Sequence, residues 1–397
     1  MPAASGSPPN WLLGPWRTFG STVAAGGDGA LIFFVFIVVA FLLYLVVLAC
    51  ARRLPLRSVL GAVVFCQVVF MLAPPLLSQD VFSYIAYARL AVEHGLNPYT
   101  HVPAEITTDP ILRYVGWRHT TSAYGPLFTI ATYPLGALSV PVAYWALKSV
   151  VAAASLATVL AVRSVARAFG RSATVPVAFV GLNPILLVGV IGGAHNDALA
   201  VLVGMLGVLA VVRERSFVAG AVGLAAGAVK SSLALWGGFL VLGAERRARA
   251  LIGFSLALLT TGAVAVAFFG YHATGALTAA GENQARVSFY SLPNQATRAL
   301  AALAGVPVDG LLLPVRTLFA CAGVAVLVYL IWRVLTRRHE WLLLAGWATL
   351  VLLIASAWLL PWYLLWLLPL AAIADDRRLK FATLLLTAYL LPIRVPL

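Results

Sequence analysis

Charge is scarce in this chain of 397 residues. Asp, Glu, Lys and Arg together make up 10% of it, and the acids are the rarer sign, 13 against 27. With 62% hydrophobic residues as well, the chain cannot dress a whole surface for water, which excludes a soluble globular domain. Cysteine is rarer still. Cys50, Cys66 and Cys321 each lie inside an apolar run and read as small buried hydrophobes, which excludes a disulfide framework and a zinc spacing. There is no P-loop and no Gly-rich dinucleotide fingerprint. No polar stretch is long enough for a large soluble catalytic domain, which argues against a nucleotide-sugar substrate. The alternation that marks membrane strands is also missing, because the apolar runs are continuous and about twenty residues long. The class that remains is an all-α, polytopic membrane protein.

The net charge of +14 would suit nucleic acid, but its placement argues otherwise. Arg and Lys fall in short clusters between apolar runs, the pattern of cytoplasmic loops. Apolar length and those clusters together predict about twelve spans, at roughly 30–50, 58–78, 141–162, 173–191, 196–212, 216–231, 232–243, 250–270, 314–335, 341–358, 359–373 and 381–396. Residues 1–29 form an N-terminal tail with two Trp and no signal-peptide pattern. Segments 79–140 and 271–313 become external loops, and 124–139 reads as an interfacial or re-entrant helix. Every strong basic cluster then falls on one side. Asp80, Glu93, Glu105, Asp109, Asp197, Glu282 and Asp309 fall on the other. No internal repeat is visible.

Asp80 opens the denser of the two external segments, which also holds Arg89, Glu93, His94, His101, Glu105, Asp109, Arg113, Arg118 and His119. Ionisable groups at a membrane boundary are costly and tend to mark function. A carboxylate there could remove a proton from an attacking hydroxyl. The plainer alternative is a helix cap, since Ser78-Gln79-Asp80 precedes a helical pattern. The 81–94 stretch reads as an amphipathic helix on the outer leaflet. His195-Asn196-Asp197, beside paired glycines at the mouth of two spans, fits recognition of a hydroxyl or support of the base, against a cap by Asn196. Lys230 stands in a small, apolar helix, where a cation must snorkel or pair with an anion such as a lipid phosphate. Arg113, Arg118, Arg286 and Arg298 are further phosphate candidates, because a guanidinium grips phosphate oxygens in a fork. Lys148, inside a span, either pairs with an acid or is buried. Tyr84, Tyr124, Trp362 and Tyr363 are interface anchors or walls for a sugar.

Taken together these pieces resemble a family. They are Gln79-Asp80-Val81-Phe82-Ser83-Tyr84, Asn97-Pro98-Tyr99, Tyr124-Gly125-Pro126-Leu127, Asn183-Pro184, Gly192-Gly193-Ala194-His195-Asn196-Asp197, Lys230 at the end of its run and Pro361-Trp362-Tyr363. The pattern is similar to the GT-C membrane glycosyltransferases that use polyprenyl-phosphate sugars. More narrowly it resembles the actinobacterial polyprenol-phosphomannose-dependent α-mannosyltransferases, including the glycosyltransferase family 87 group. The resemblance implies a single GT-C-like transmembrane domain over 1–397 in a bacterial plasma membrane, with its active site on the external face. It implies an inverting transfer of mannose from a polyprenyl-phosphate donor to a glycolipid or glycan, with no metal and no cofactor. Asp80 would be the base. His195, Asn196, Asp197, Tyr84, Tyr124, Trp362 and Tyr363 would hold the sugars. Lys230 with Arg286 or Arg298 would hold the donor phosphate. Membrane lipids would be partners and nucleic acid would not. Two other readings stay open: the same fold with another polyprenyl-phosphate sugar, or a transporter or lipid flippase.

Overall fold

A computed structural model describes residues 9–16, 28–286, 288 and 290–392. Much of the predicted tail (1–8 and 17–27) and the end of the last predicted span (393–396) lie outside the described residues.

Among the described residues the chain is helical and has no strand. The helices are α1 Asp28–Cys50, α2 Leu56–Leu72, α3 Asp80–Val92, α4 Pro126–Ala131, α5 Tyr133–Gly136, α6 Val140–Ala168, α7 Thr174–Gly181, α8 Asp197–Val212 and α9 Ser216–Val229. They continue as α10 Ala234–Gly243, α11 Arg247–Phe269, α12 Gly275–Ala285, α13 Leu292–Ala304, α14 Val308–Thr336, α15 Trp341–Ala355, α16 Leu368–Ile373 and α17 Arg377–Leu390. Five helical stretches among the described residues are long and apolar enough to cross a membrane: Leu31–Arg53, Val140–Ala168, Arg247–His272, Val308–Thr336 and Arg338–Ala355. Exposed Leu31, Phe36, Phe65, Leu259 and Leu318 show why: on α1, α2, α11 and α14 the outward faces are apolar, as lipid requires. The protein is an all-α, polytopic membrane protein.

Most of the remaining predicted spans are shorter apolar helices, and the sequence explains the shortening. The run predicted as one span over 173–191 is α7 followed by a π-helical segment, Ile185–Gly192, with a bend of 51° between them. Pro184 has no N–H for the helix ladder and pushes Asn183 out of helical geometry. The Asn183 side chain then takes over, accepting the Ile185 N–H at 3.0 Å. Lys230 differs from expectation too. It follows α9 in an extended conformation and is not inside the helix. Helices α9 and α11 pack backbone to backbone: a Cβ on Gly220 would lie 1.8 Å from the Ala250 carbonyl oxygen.

The polar segment after α2 folds as a cap over one end of the bundle. Helix α3 is not the one-sided surface helix expected, because every residue from Val81 to Ala88 is buried. The loop 97–139 covers its outer side and α6 lies beneath it. Arg89 fastens this cap. Its Nε donates to both oxygens of Asp109, at 3.0 and 2.8 Å, and its Nη1 donates to the Gly136 and Leu138 carbonyls. His94 adds a third contact to Asp109, at 3.0 Å. Among the described residues Lys148 pairs with no acid. Its ammonium donates to the carbonyls of Ala73 and Pro74, which end α2, and lies 3.3 Å from the Tyr144 hydroxyl.

Candidate active site

The chain reaches the site along four backbone paths. The first leaves α2, which Pro74 and Pro75 stop because neither has an N–H to continue the ladder. It runs past Leu76, whose N–H donates to the Gly192 carbonyl at 3.1 Å. Ser78 Oγ then accepts the Asp80 N–H at 3.1 Å and sets Asp80 as the first residue of α3. Asp80 does not cap that helix. Its Oδ1 accepts the indole N–H of Trp117 at 2.9 Å.

The second path is the π-helical segment, a geometry concentrated at functional sites. It turns through Ala194, at a φ of 54°, and presents His195, Asn196 and Asp197 at the start of α8. All three are fully buried. His195 Nδ1 lies 3.5 Å from Asp80 Oδ2, and its ring stacks on Trp362 with centroids 3.6 Å apart. Asn196 does not cap α8; it shares long hydrogen bonds with the Tyr84 hydroxyl, at 3.4 and 3.5 Å.

The third path is the extended turn at Lys230. Gly125 lets two backbones meet there: its N–H donates to the Val229 carbonyl at 3.2 Å, and a Cβ on it would lie 2.0 Å from the Ala228 oxygen. Tyr124 and Lys230 are thereby brought to one wall. The fourth path is the 3₁₀ turn Pro361–Trp366, which carries Trp362, Tyr363 and Trp366.

These paths enclose a cleft of about 940 Å³, counted to its open mouth, with Asp80, Tyr124, Lys230, Trp362, Tyr363 and Trp366 in its lining. The remaining candidates stand behind it or away from it. Tyr84 backs Tyr124 edge to face at 4.7 Å. Asp197 does not line the cleft, and both of its oxygens are engaged: Oδ2 by Lys230 Nζ at 2.7 Å and Oδ1 by the Trp366 indole at 2.6 Å. Its work here is to hold the lysine. Arg286 reaches the rim, stacked over Trp117 at 5.0 Å and donating to Thr120 Oγ1 at 3.3 Å. Arg298 is exposed on α13 and does not line the cleft, nor do Arg113 and Arg118. Arg316 donates to the Arg286 carbonyl at 3.0 Å and to buried Asn294 at 2.8 Å, which steadies the loop bearing Arg286.

Burial pushes the Asp80 carboxyl above its ordinary range, even though Trp117, Lys230 and Ser78 pull it down. Burial, with the charge of Lys230, drives His195 well below its usual value, so its ring is neutral at working pH. The site therefore pairs a proton-hungry carboxylate with a neutral imidazole and a lysine whose buried partner already compensates it.

Sequence reasoning missed Trp117, which bonds the carboxylate, and the role of Trp366 as partner of Asp197. One signal was available: a Trp in a polar, folded segment needs an acceptor for its N–H.

Residues 6–246 match the family described as "Alpha-(1->6)-mannopyranosyltransferase, N-terminal domain". That match spans more than half of the chain. The chain belongs to this family. Residues 292–396 match a second description, "MptB C-terminal domain", so the family resemblance extends on both sides of the Arg286 loop. The chain is similar to an alpha-(1->6)-mannopyranosyltransferase A of Corynebacterium glutamicum, 31% identical over 160 residues, which is 38% of this chain and 32% of that protein. It is also similar to an alpha-(1->6)-mannopyranosyltransferase A of Mycobacterium tuberculosis, 28% identical over 332 residues, or 78% of this chain and 64% of that protein. The chain thus spans from a third to just under two thirds of the length of these relatives. No solved structure matches it.

Proposed function

We propose that this protein is an inverting mannosyltransferase. It takes mannose from a polyprenyl-phosphate donor and joins it, in an α-(1→6) linkage, to a glycolipid or glycan at the external face of a bacterial plasma membrane. The observation that carries this reading is the cleft itself. It opens at the end of the bundle away from the basic loops, and a desolvated carboxylate and a compensated ammonium face it between aromatic walls.

The chemistry follows from those groups. The acceptor hydroxyl lies against Asp80, which takes its proton as the oxygen attacks the anomeric carbon. The bond from that carbon to the phosphate oxygen breaks, and a β-linked donor gives an α-linked product. Prenyl phosphate leaves as an anion. It needs charge stabilisation more than it needs an acid, and Lys230 supplies this from the cleft wall with Arg286 at the rim. Trp362, Tyr363 and Tyr124 offer flat faces to the sugar rings. His195, neutral and stacked on Trp362, lies 3.5 Å from the second oxygen of the Asp80 carboxylate. The activity in the relatives' names and the motif resemblance support mannose as the sugar.

The test is transfer of radiolabel from a short-chain prenyl-phosphomannose to an extracted membrane glycolipid pool. Wild type labels a larger glycolipid. Asp80→Asn loses activity by about 10²- to 10⁴-fold, the usual contribution of a positioned base. Equal transfer by the two proteins would sink the assignment of Asp80. Uptake of label into vesicles without covalent product would sink the enzyme.

A further inference from the structure

The end of the bundle opposite the catalytic cleft carries a second, unassigned cleft. Three turns meet there: the one after α1, which bears Arg52; the one between α6 and α7, which bears Arg171; and the one between α16 and α17, which bears Asp375. Together with Lys380 at the start of α17 they enclose a space of about 850 Å³, counted to its mouth. Val175 and Ile373 give the cleft an apolar floor. It is remote from Asp80: α8, which starts at the catalytic end, is about 23 Å long at 1.5 Å per residue.

The charges in this cleft do not cancel. Three cations face one acid. Asp375 lies 3.2 Å from Lys380 Nζ and 4.0 Å from Arg171 Nε, the latter too long for a hydrogen bond. Both are exposed ion pairs, which hold their partners weakly. Arg171 is nevertheless fixed in place, because its Nη1 donates to the Ile373 carbonyl at 2.8 Å. Its other N–H groups make no hydrogen bond among the described residues, and neither does Arg52. The result is a pinned guanidinium with unspent donors, a second guanidinium beside it and an ammonium. They surround an apolar floor at the rim of membrane-length helices. A guanidinium fork matches phosphate oxygens, and the floor matches the first carbons of an acyl chain.

We infer that this cleft binds the phosphate of an anionic membrane phospholipid, with Arg52, Arg171 and Lys380 as its ligands. A free phosphate ion would leave the floor uncovered and use only half of what the cleft offers. Basic pockets between helices on the cytoplasmic side are the physical setting for such headgroups. The inference stands apart from the transferase reading and survives its failure.

The test is native mass spectrometry of the purified full chain with phosphatidylglycerol and phosphatidylcholine in equal amounts. Wild type retains the anionic lipid in excess. Arg52→Gln/Lys380→Gln loses that excess by about tenfold or more, the scale expected for two cations at a membrane surface. Arg213→Gln/Arg215→Gln, which removes two cations outside the cleft, keeps it. Arg52, Arg213 and Arg215 are exposed and Lys380 is half-buried, and an unchanged gel-filtration profile separates loss of binding from loss of fold. Equal retention of the two lipids by wild type overturns the inference. So does an equal loss in the two variants, which would mean only a diffuse positive surface. Displacement of the lipid by millimolar inorganic phosphate would show a free-phosphate site and overturn it as well.

Discussion

The contact between Trp117 and Asp80 makes a prediction that separates a working carboxylate from a structural one. Trp117→Phe keeps an aromatic ring against Trp358, whose centroid is 6.2 Å away, and under Arg286 at 5.0 Å. It removes the indole N–H at 2.9 Å from Asp80 Oδ1, together with the five-membered ring that carries it. A hydrogen bond to a charged group contributes about 1.5–3 kcal/mol. The Asp80 side chain retains 14% exposure, so the lower end applies. The lost bond stabilised the ionised form, and its loss raises the carboxyl further in the direction burial already drives it. At 1.36 kcal/mol per pH unit, the acid limb of kcat/KM moves up by about one pH unit. The base works deprotonated, so activity falls most at low pH and recovers as pH rises. The assay is label transfer from a short prenyl-phosphomannose across pH 5 to 9, wild type against Trp117→Phe and Trp117→Leu. A drop in rate that is uniform across pH would refute the reasoning, because it would make Trp117 a packing residue. An acid limb that persists in Asp80→Asn would refute it more deeply, since the titrating group would be another residue.

Four further outcomes are expected. Asp197→Asn leaves Lys230 without its buried carboxylate; breaking such a pair costs about 3–5 kcal/mol, and the reading requires a rise in donor KM, measured with prenyl-phosphomannose as the varied substrate, with an acid limb that does not move up, because the Asp197 charge itself raises the Asp80 carboxyl. Gly125→Ala drives a Cβ to 2.0 Å from the Ala228 oxygen, so the Tyr124 and Lys230 walls separate; transfer falls at least tenfold while far-UV circular dichroism holds. Burial alone would raise Asp109, but the Ile111 N–H, His94 and Arg89 outweigh it and hold the carboxyl low. Its contribution is present above the unfolded carboxyl pKa and is lost as pH falls through the lower folded value, so amide protection factors over 97–139, corrected for the intrinsic pH dependence of exchange, fall in acid in wild type and are already low in Asp109→Asn. EDTA leaves transfer unchanged, because the cations placed for the phosphate are side chains; inhibition that Mg²⁺ or Mn²⁺ reverses would move that role to a metal.

How much of this was legible depended on whether a residue's partner could be reached by local reasoning. Helix existence was legible, because lipid imposes continuous apolar runs. The bend of 51° at Pro184 was not read, because apolar length alone makes 173–191 one span. Asp80, His195 and Lys230 could be picked out one at a time because each is a costly group at a span end. Their arrangement could not. Asp197 and Lys230 are 33 residues apart, across α8, α9 and the turn between them, and nothing in either run says that the acid faces inward and the lysine faces the cleft. Helix α3 shows the same limit. Tyr84 and Tyr87 carry hydroxyls that suit water, yet the fold covers them with the loop 97–139, and those hydroxyls serve Asn196 and the Thr120 carbonyl.

That covering loop explains why so few charges suffice. A carboxylate exposed at the bundle end would sit near its ordinary pKa and make a weak base, while one sealed inside would stay protonated or unfold the site. The cap stops between these limits. Arg89 and Asp109 spend a full ion pair on fastening the loop well away from the chemistry. Trp117, carried by the same loop, is the one group among the described residues that the loop contributes to the Asp80 carboxylate by a hydrogen bond. Loosening the fastening should therefore change the base without touching it. If Asp109→Asn left the acid limb of transfer where it is in wild type, while loop exchange sped up, the cap would be a cover only, and the tuning of Asp80 would belong to the helices beneath it.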